Sequence, residues 1–174
     1  MVPAALVLID TSASRTWEVR NTQGSSEIAS LKADRVYGSV YNDYAEYRTI
    51  TKASSGRTVV ENGDGSLSLA TKRLQLGANI VSDTYGFAIG KTDEAQTPIA
   101  VCGRVLAYPY EERKLFTPGA AVCSGPNGTI SLMTREEIRE WPDAIVGYVS
   151  EIPTYEYWGT DNIKVDGRIW IKVK

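Results

Sequence analysis

The sequence predicts a mainly β domain: two duplicated β units packed as one body, one or two short helices, and an extended N-terminal arm. Two stretches, near residues 56–107 and 119–171, repeat each other's pattern of strand and turn. Apolar residues alternate with polar ones through most of that span, the period of a half-buried strand. Prolines at 98, 109, 118, 126, 142 and 153 fall at the ends of the apolar runs, where a missing N–H costs nothing. A chain of 174 residues holds one domain of ordinary size, read as 36–174, plus an arm or stalk end at 1–35.

In chain order, residues 5–9 read as a short apolar strand, 10–14 as a polar turn, 16–20 as a second strand and 24–26 as a Gly-Ser loop. This arm buries little by itself, and ordering it costs about 1–2 kcal/mol per residue in backbone entropy. It therefore needs a neighbour, such as another subunit. Its apolar start lacks a basic flank and ends at Asp10, so neither a signal peptide nor a membrane insertion is expected. Residues 37–47, Tyr-Gly-Ser-Val-Tyr-Asn-Asp-Tyr-Ala-Glu-Tyr, hold four of the ten tyrosines. If helical, their spacing of four, three and three puts the rings on one stripe, with Asp43 and Glu46 on a neighbouring face.

The repeat begins after that run. Gly56-Arg57-Thr58-Val59-Val60 leads into Gly63-Asp64-Gly65-Ser66-Leu67-Ser68-Leu69, and Gly119-Ala120-Ala121-Val122-Cys123 leads into Pro126-Asn127-Gly128-Thr129-Ile130-Ser131-Leu132. Each copy reaches a glycine preceded by Asp or Asn, the signal for a tight hairpin. Ile80-Val81 then answers Ile145-Val146, and Ile99 to Val105 answers Ile163 to Ile169, so that Val-x-Gly-Arg recurs at 101–104 and 165–168. Thr134 with Glu137 forms a capping box for a short helix ended by Pro142. Further strands are expected over 85–89, 99–107, 144–150 and 163–173.

Composition removes several function classes. With 19 basic against 21 acidic residues and no basic stripe, nucleic acid is not an expected partner. The chain has no histidine, which removes the commonest general base and zinc ligand. Cys102 and Cys123 have no Cys-x-x-Cys spacing and read as small core residues. No metal or cofactor is expected. Gly90-Lys91-Thr92 imitates a phosphate loop but has neither the first glycine nor a following helix.

Two constellations carry candidate chemistry. Asp43 and Glu46 are either solvated acids or a carboxylate pair whose split pKa values make one an acid and the other a base. In a histidine-free chain such a pair is the credible route to peptide hydrolysis, with Ser39 a natural place for the cut. Tyr155, Tyr157 and Trp158 form an aromatic loop over 154–162 that suits either a ligand such as a glycan or a neighbouring chain.

Asp43-Tyr44-Ala45-Glu46-Tyr47, Gly56-x-x-Val59, the hairpin, Ile145-Val146-Gly147-Tyr148-Val149-Ser150-x-x-Pro153 and the closing Val165-x-Gly167-Arg168-Ile169 form a set. Together they resemble the C-terminal intramolecular-chaperone autoproteolytic, or G2 peptidase, domain of bacteriophage neck-appendage and tail-fibre proteins. The similarity covers residues 36–174. It implies a homotrimer at the end of a long fibrous chain, made in the bacterial cytoplasm and carried on the virion, with the upstream stalk of the same protein as a further partner. In that family the domain helps three chains register and fold, and some members then cut themselves once at the stalk junction. By that resemblance Asp43 and Glu46 are the acids and Ser39 lies by the cut. The alternative is a permanent fibre-tip cap that binds a host surface receptor or glycan.

Overall fold

The computed structural model describes residues 42–51, 53–91, 95–159 and 161–174. The arm lies outside them, and so do Ser39, Tyr37 and Tyr41. The strands are β1 (Asp43–Arg48), β2 (Ile50–Thr51), β3 (Thr58–Glu61), β4 (Leu67–Leu69), β5 (Ala78–Val81), β6 (Tyr85–Ile89) and β7 (Thr97–Ala107). They continue with β8 (Ala121–Ser124), β9 (Ile130–Leu132), β10 (Gly147–Glu151), β11 (Tyr157–Trp158), β12 (Ile163–Lys164) and β13 (Ile169–Val173). The one α-helix among the described residues, α1 (Arg135–Glu140), joins β9 to β10.

Eleven strands make one curled, mostly antiparallel sheet in the order β2-β4-β3-β5-β7-β13-β10-β8-β9, with β1 beside β7 and β6 beside β1. β11 and β12 form a separate hairpin. The main core runs through both halves of the sheet: Ile80, Ala100 and Val105 pack with Val122, Ile130, Ile169 and Ile171. Each such aliphatic side chain contributes roughly 1.5–3 kcal/mol on burial. The curl brings the two hairpins together. Thr58 Oγ1 donates to the Thr129 carbonyl at 3.0 Å, and the Gly128 amide donates to the Ala70 carbonyl at 2.7 Å. Gly128 has φ +69°, and a Cβ there would run into the Leu69 side chain, so the contact requires glycine.

The hairpins expected from the sequence form, and their ladders share one register. In β3–β4 Val59 lies opposite Leu69, Val60 opposite Ser68 and Glu61 opposite Leu67. In β8–β9 Val122 lies opposite Leu132, Cys123 opposite Ser131 and Ser124 opposite Ile130, every partner displaced by the same 63 positions. Beyond the hairpins the expected matches shift. Thr58 lies opposite Ile80, whereas Ala121 lies opposite Tyr148, so the ladder counterpart of Ile80 is Tyr148 and not Ile145. Likewise Val81 pairs with Ile99 and Val149 with Ile171, which makes Ile171 rather than Ile163 the counterpart of Ile99.

The two stretches differ in the elements that stand between these strands. Helix α1 and a 3-10 turn at Pro142–Ala144 stand before β10, and the β11–β12 hairpin stands before β13. The expected strand over 163–173 is therefore two strands, broken where Asp166 and Gly167 adopt φ of 50° and 76°. The two Gly-Arg pairs also part company. Gly103 sits inside β7 opposite Asp43, while Gly167 sits in the turn before β13. The helix is capped as predicted: Thr134 Oγ1 accepts from the Glu137 amide at 3.1 Å and the Glu137 carboxylate accepts from the Thr134 amide at 2.8 Å. Its apolar stripe buries nothing fully, and Trp141 remains 43% exposed.

Candidate functional site

The described end of the tyrosine run, Asp43 to Tyr47, lies in strand β1, held between β6 and β7, and not in a helix. The irregularities lie on its partners: opposite β1, β6 carries the extra residue Gly86 and β7 carries Val101. β1 itself stays regular, so positions 43 and 45 point one way and 44 and 46 the other. Burial follows that alternation, with Asp43 and Ala45 buried and Glu46 exposed.

The expected carboxylate pair is therefore not assembled. Glu46 lies on the outer side of β1, opposite Ile89 and Ile99, with Arg48 3.9 Å away. Asp43, 5% exposed, faces the turn between β5 and β6 instead. Its Oδ1 accepts from the Thr84 hydroxyl at 3.1 Å, and the Ser82 hydroxyl lies 3.4 Å from that of Thr84 and accepts the Thr84 amide at 3.0 Å. Oδ2 of Asp43 is buried and has no partner.

Neighbouring backbone locks the acid in place. Asn42 Nδ2 donates to the Thr84 carbonyl at 2.9 Å, and the Asn42 carbonyl accepts from the Arg104 amide at 2.8 Å. A Cβ on Gly103, whose φ is +103°, would collide with the Asn42 carbonyl oxygen and stand 2.7 Å from the Asp43 Cα. Only glycine allows β1 this close to β7.

Burial pushes the Asp43 carboxyl up to about 6, against the downward pull of the Ser82 and Thr84 hydroxyls, and the charge of Asp83 adds to the rise. Asp83 is itself held by Arg168, whose Nη1 reaches both carboxylate oxygens at 2.8 and 2.9 Å. The Arg168 side chain is only 4% exposed. Thus the second Gly-Arg element fixes the Ser82–Thr84 turn against Asp43. Asp43 can give up a proton near neutral pH, and two hydroxyls stand beside it. The sequence offered no local signal for Ser82, Asp83, Thr84 and Arg168, since they reach Asp43 across 39 to 125 positions of chain.

The aromatic loop is spent mainly on the fold. The Trp170 Nε1–H donates to the Tyr155 hydroxyl at 2.7 Å, and that hydroxyl donates to Glu151 at 3.1 Å. Trp158 meets Trp170 edge to face with ring centres 5.2 Å apart. Tyr157 is the freest of the three, 53% exposed.

A third feature was not foreseen as a site. Strand β6 has β1 as its one strand partner among the described residues, and four of its five residues are exposed. Phe87 is 56% exposed and Ile89 44%, both on one side of the strand. Tyr44 stacks on Phe87 with ring centres 5.5 Å apart, and the exposed Cys102 lies opposite Tyr44 on β7. The result is an apolar sheet face beside an open strand edge.

Among the described residues the fold is thus a curled β-sheet domain with a buried carboxylate, Asp43, whose Oδ2 has no partner, and an edge strand, β6, that is mostly exposed. No protein-family model matches the chain, and no curated protein or solved structure is significantly similar to it.

Proposed function

We propose that this chain is a self-associating assembly domain at the end of a longer fibre protein, of the phage neck-appendage and tail-fibre kind that its sequence resembles. The observation that carries the reading is β6: among the described residues it is an edge strand that exposes its own Phe87 and Ile89, with Tyr44 of β1 stacked on Phe87. Open, apolar edges invite pairing with another chain, and proteins normally blunt them with charge, proline or cover. In this reading three copies cover one another's β6 edge, and residues 1–35 join the domain to the stalk.

The shared hairpin register supports a second part of the reading, that the sheet grew from a duplicated unit whose later strands were separated by insertions. Native mass spectrometry of the full chain tests the assembly. A trimer that Phe87→Glu converts to monomers is the expected result, and a wild-type monomer would overturn it.

The orphan Oδ2 of Asp43 favours one further activity, a single self-cleavage upstream of β1 in the region of Ser39. Water adds to the scissile carbonyl carbon, the C–N bond breaks, and the Asp43 carboxyl protonates the leaving nitrogen and regains a proton from the water. Glu46 takes no part in this version. Intact mass after prolonged incubation should show two fragments for wild type and Glu46→Gln, formed faster below pH 6 than above it, and none for Asp43→Asn. An uncut wild-type chain removes the activity and leaves the assembly reading standing.

A further inference from the structure

A groove of about 620 Å³ opens at the start of the aromatic loop, between the turn at residues 113–115, the chain at 152–156 and the β12–β13 turn. That volume lies in the range of small-ligand sites. Two cations in its lining lack a carboxylate partner: among the described residues no ion pair involves Arg113 or Lys164. Arg113 Nη2 donates to the Pro153 carbonyl at 2.6 Å, which fixes the guanidinium, but its Nε–H is buried and has no acceptor. A buried donor of this kind costs about 1–3 kcal/mol, more when charged, and calls for an acceptor.

The rest of the lining narrows the ligand. Glu156 and Asp166 place carboxylates in the same groove, and Tyr155 adds an aromatic ring held by its hydroxyl bonds to Trp170 and Glu151. A bare anion such as phosphate offers the two cations a partner but leaves Glu156, Asp166 and the Tyr155 ring without one. A neutral sugar leaves Arg113 and Lys164 without an anion. A saccharide bearing a carboxylate uses every group: its carboxylate takes the two cations, its hydroxyls donate to Glu156 and Asp166, and a ring face covers Tyr155.

We infer that this groove binds a carboxylate-bearing saccharide, with Arg113 and Lys164 as the anion-recognising pair. The inference does not depend on the assembly reading, because none of these residues lies on β1 or β6. Trp158 and Tyr157, expected from the sequence as ligand contacts, are not among the lining residues.

Isothermal titration of the full chain tests it with tetragalacturonate and sialyllactose as probes, and with maltotetraose and inorganic phosphate as controls. Binding of at least one acidic saccharide is expected, at roughly millimolar strength or better for so open a site. Neither control should bind comparably. Lys164→Gln, an exposed substitution, should weaken that binding at least about tenfold. Arg113→Gln should abolish it, and an unchanged melting temperature shows that the loop has kept its shape. No binding of either acidic saccharide, equal binding of maltotetraose or phosphate, or acidic-saccharide binding that survives Lys164→Gln unchanged would overturn the inference.

Discussion

Strands β8 and β6 are both short and both rich in apolar residues, yet every residue of β8 is buried and four of the five in β6 are exposed. The difference is one of neighbours. β8 lies between β9 and β10 and turns Val122 into the main core, whereas β6 is paired on one side by β1. Ala-Val-Cys-Ser and Tyr-Gly-Phe-Ala-Ile would each pass for an interior strand in sequence. Among the described residues β8 has a strand on each side and β6 has one on a single side.

The comparison breaks first at the core. Trp170 is fully buried, and Trp170→Ala should cost about 3–5 kcal/mol in denaturant unfolding. Phe87→Ala should change the stability of an isolated subunit by no more than about 0.5 kcal/mol. Comparable losses at the two sites would mean that β6 is as integral to the fold as β13.

Next in size is the seam that carries the edge ribbon. Gly103→Ala sets a Cβ against Asn42 and Asp43 at a positive φ, and should cost about 2–4 kcal/mol. Hydrogen exchange should locate the loosening in β1 and β6, with β8 and β9 protected as before. Uniform loss of protection would show that the ribbon and the finished half do not separate.

A smaller effect depends on pH. The folded pKa of Asp43, about 6, stands above the usual carboxylate value of 3.8, so the folded chain holds this proton more tightly than the unfolded one. Its contribution is fully present below about pH 4, falls as pH rises towards 6, and is absent above. Asp43→Asn should therefore raise stability at pH 7 by about 2–3 kcal/mol and flatten the fall between pH 4 and 6. A wild-type stability profile flat across that window would contradict the burial argument. Smallest of all, Glu46→Gln should stay within about 0.5 kcal/mol of wild type, because that side chain is exposed.

What the sequence made legible was what its chemistry decides locally. Asn127 and Gly128 carry the left-handed backbone of a tight turn, and Thr134 with Glu137 caps a helix within four residues. The tyrosine spacing suits one stripe of a helix, but local periodicity is blind to the flanking strands. Contact with β6 and β7 overrode it. The same conversion from helix to strand separated Asp43 from Glu46, since positions three apart share a side of a helix but face opposite ways in a strand. The partners that replaced Glu46, Ser82 and Thr84, arrive through strand pairing between distant segments. The groove around Arg113 is built from three separate turns and carries no motif. The two Gly-Arg pairs look alike in sequence, yet Gly103 lies inside a strand and Gly167 in a turn, because the strand pairing around each differs.

Sedimentation equilibrium of the full chain, with Cys102 alkylation followed in the same samples, tests the unfinished edge most directly. Cys102 lies opposite Tyr44 and is exposed in the single subunit. The account predicts a trimer in which Cys102 reacts slowly, and a Phe87→Glu, Ile89→Lys variant that is monomeric, folded and quick to react. A wild-type monomer with fast alkylation, or a trimer that the double variant leaves intact, would contradict it.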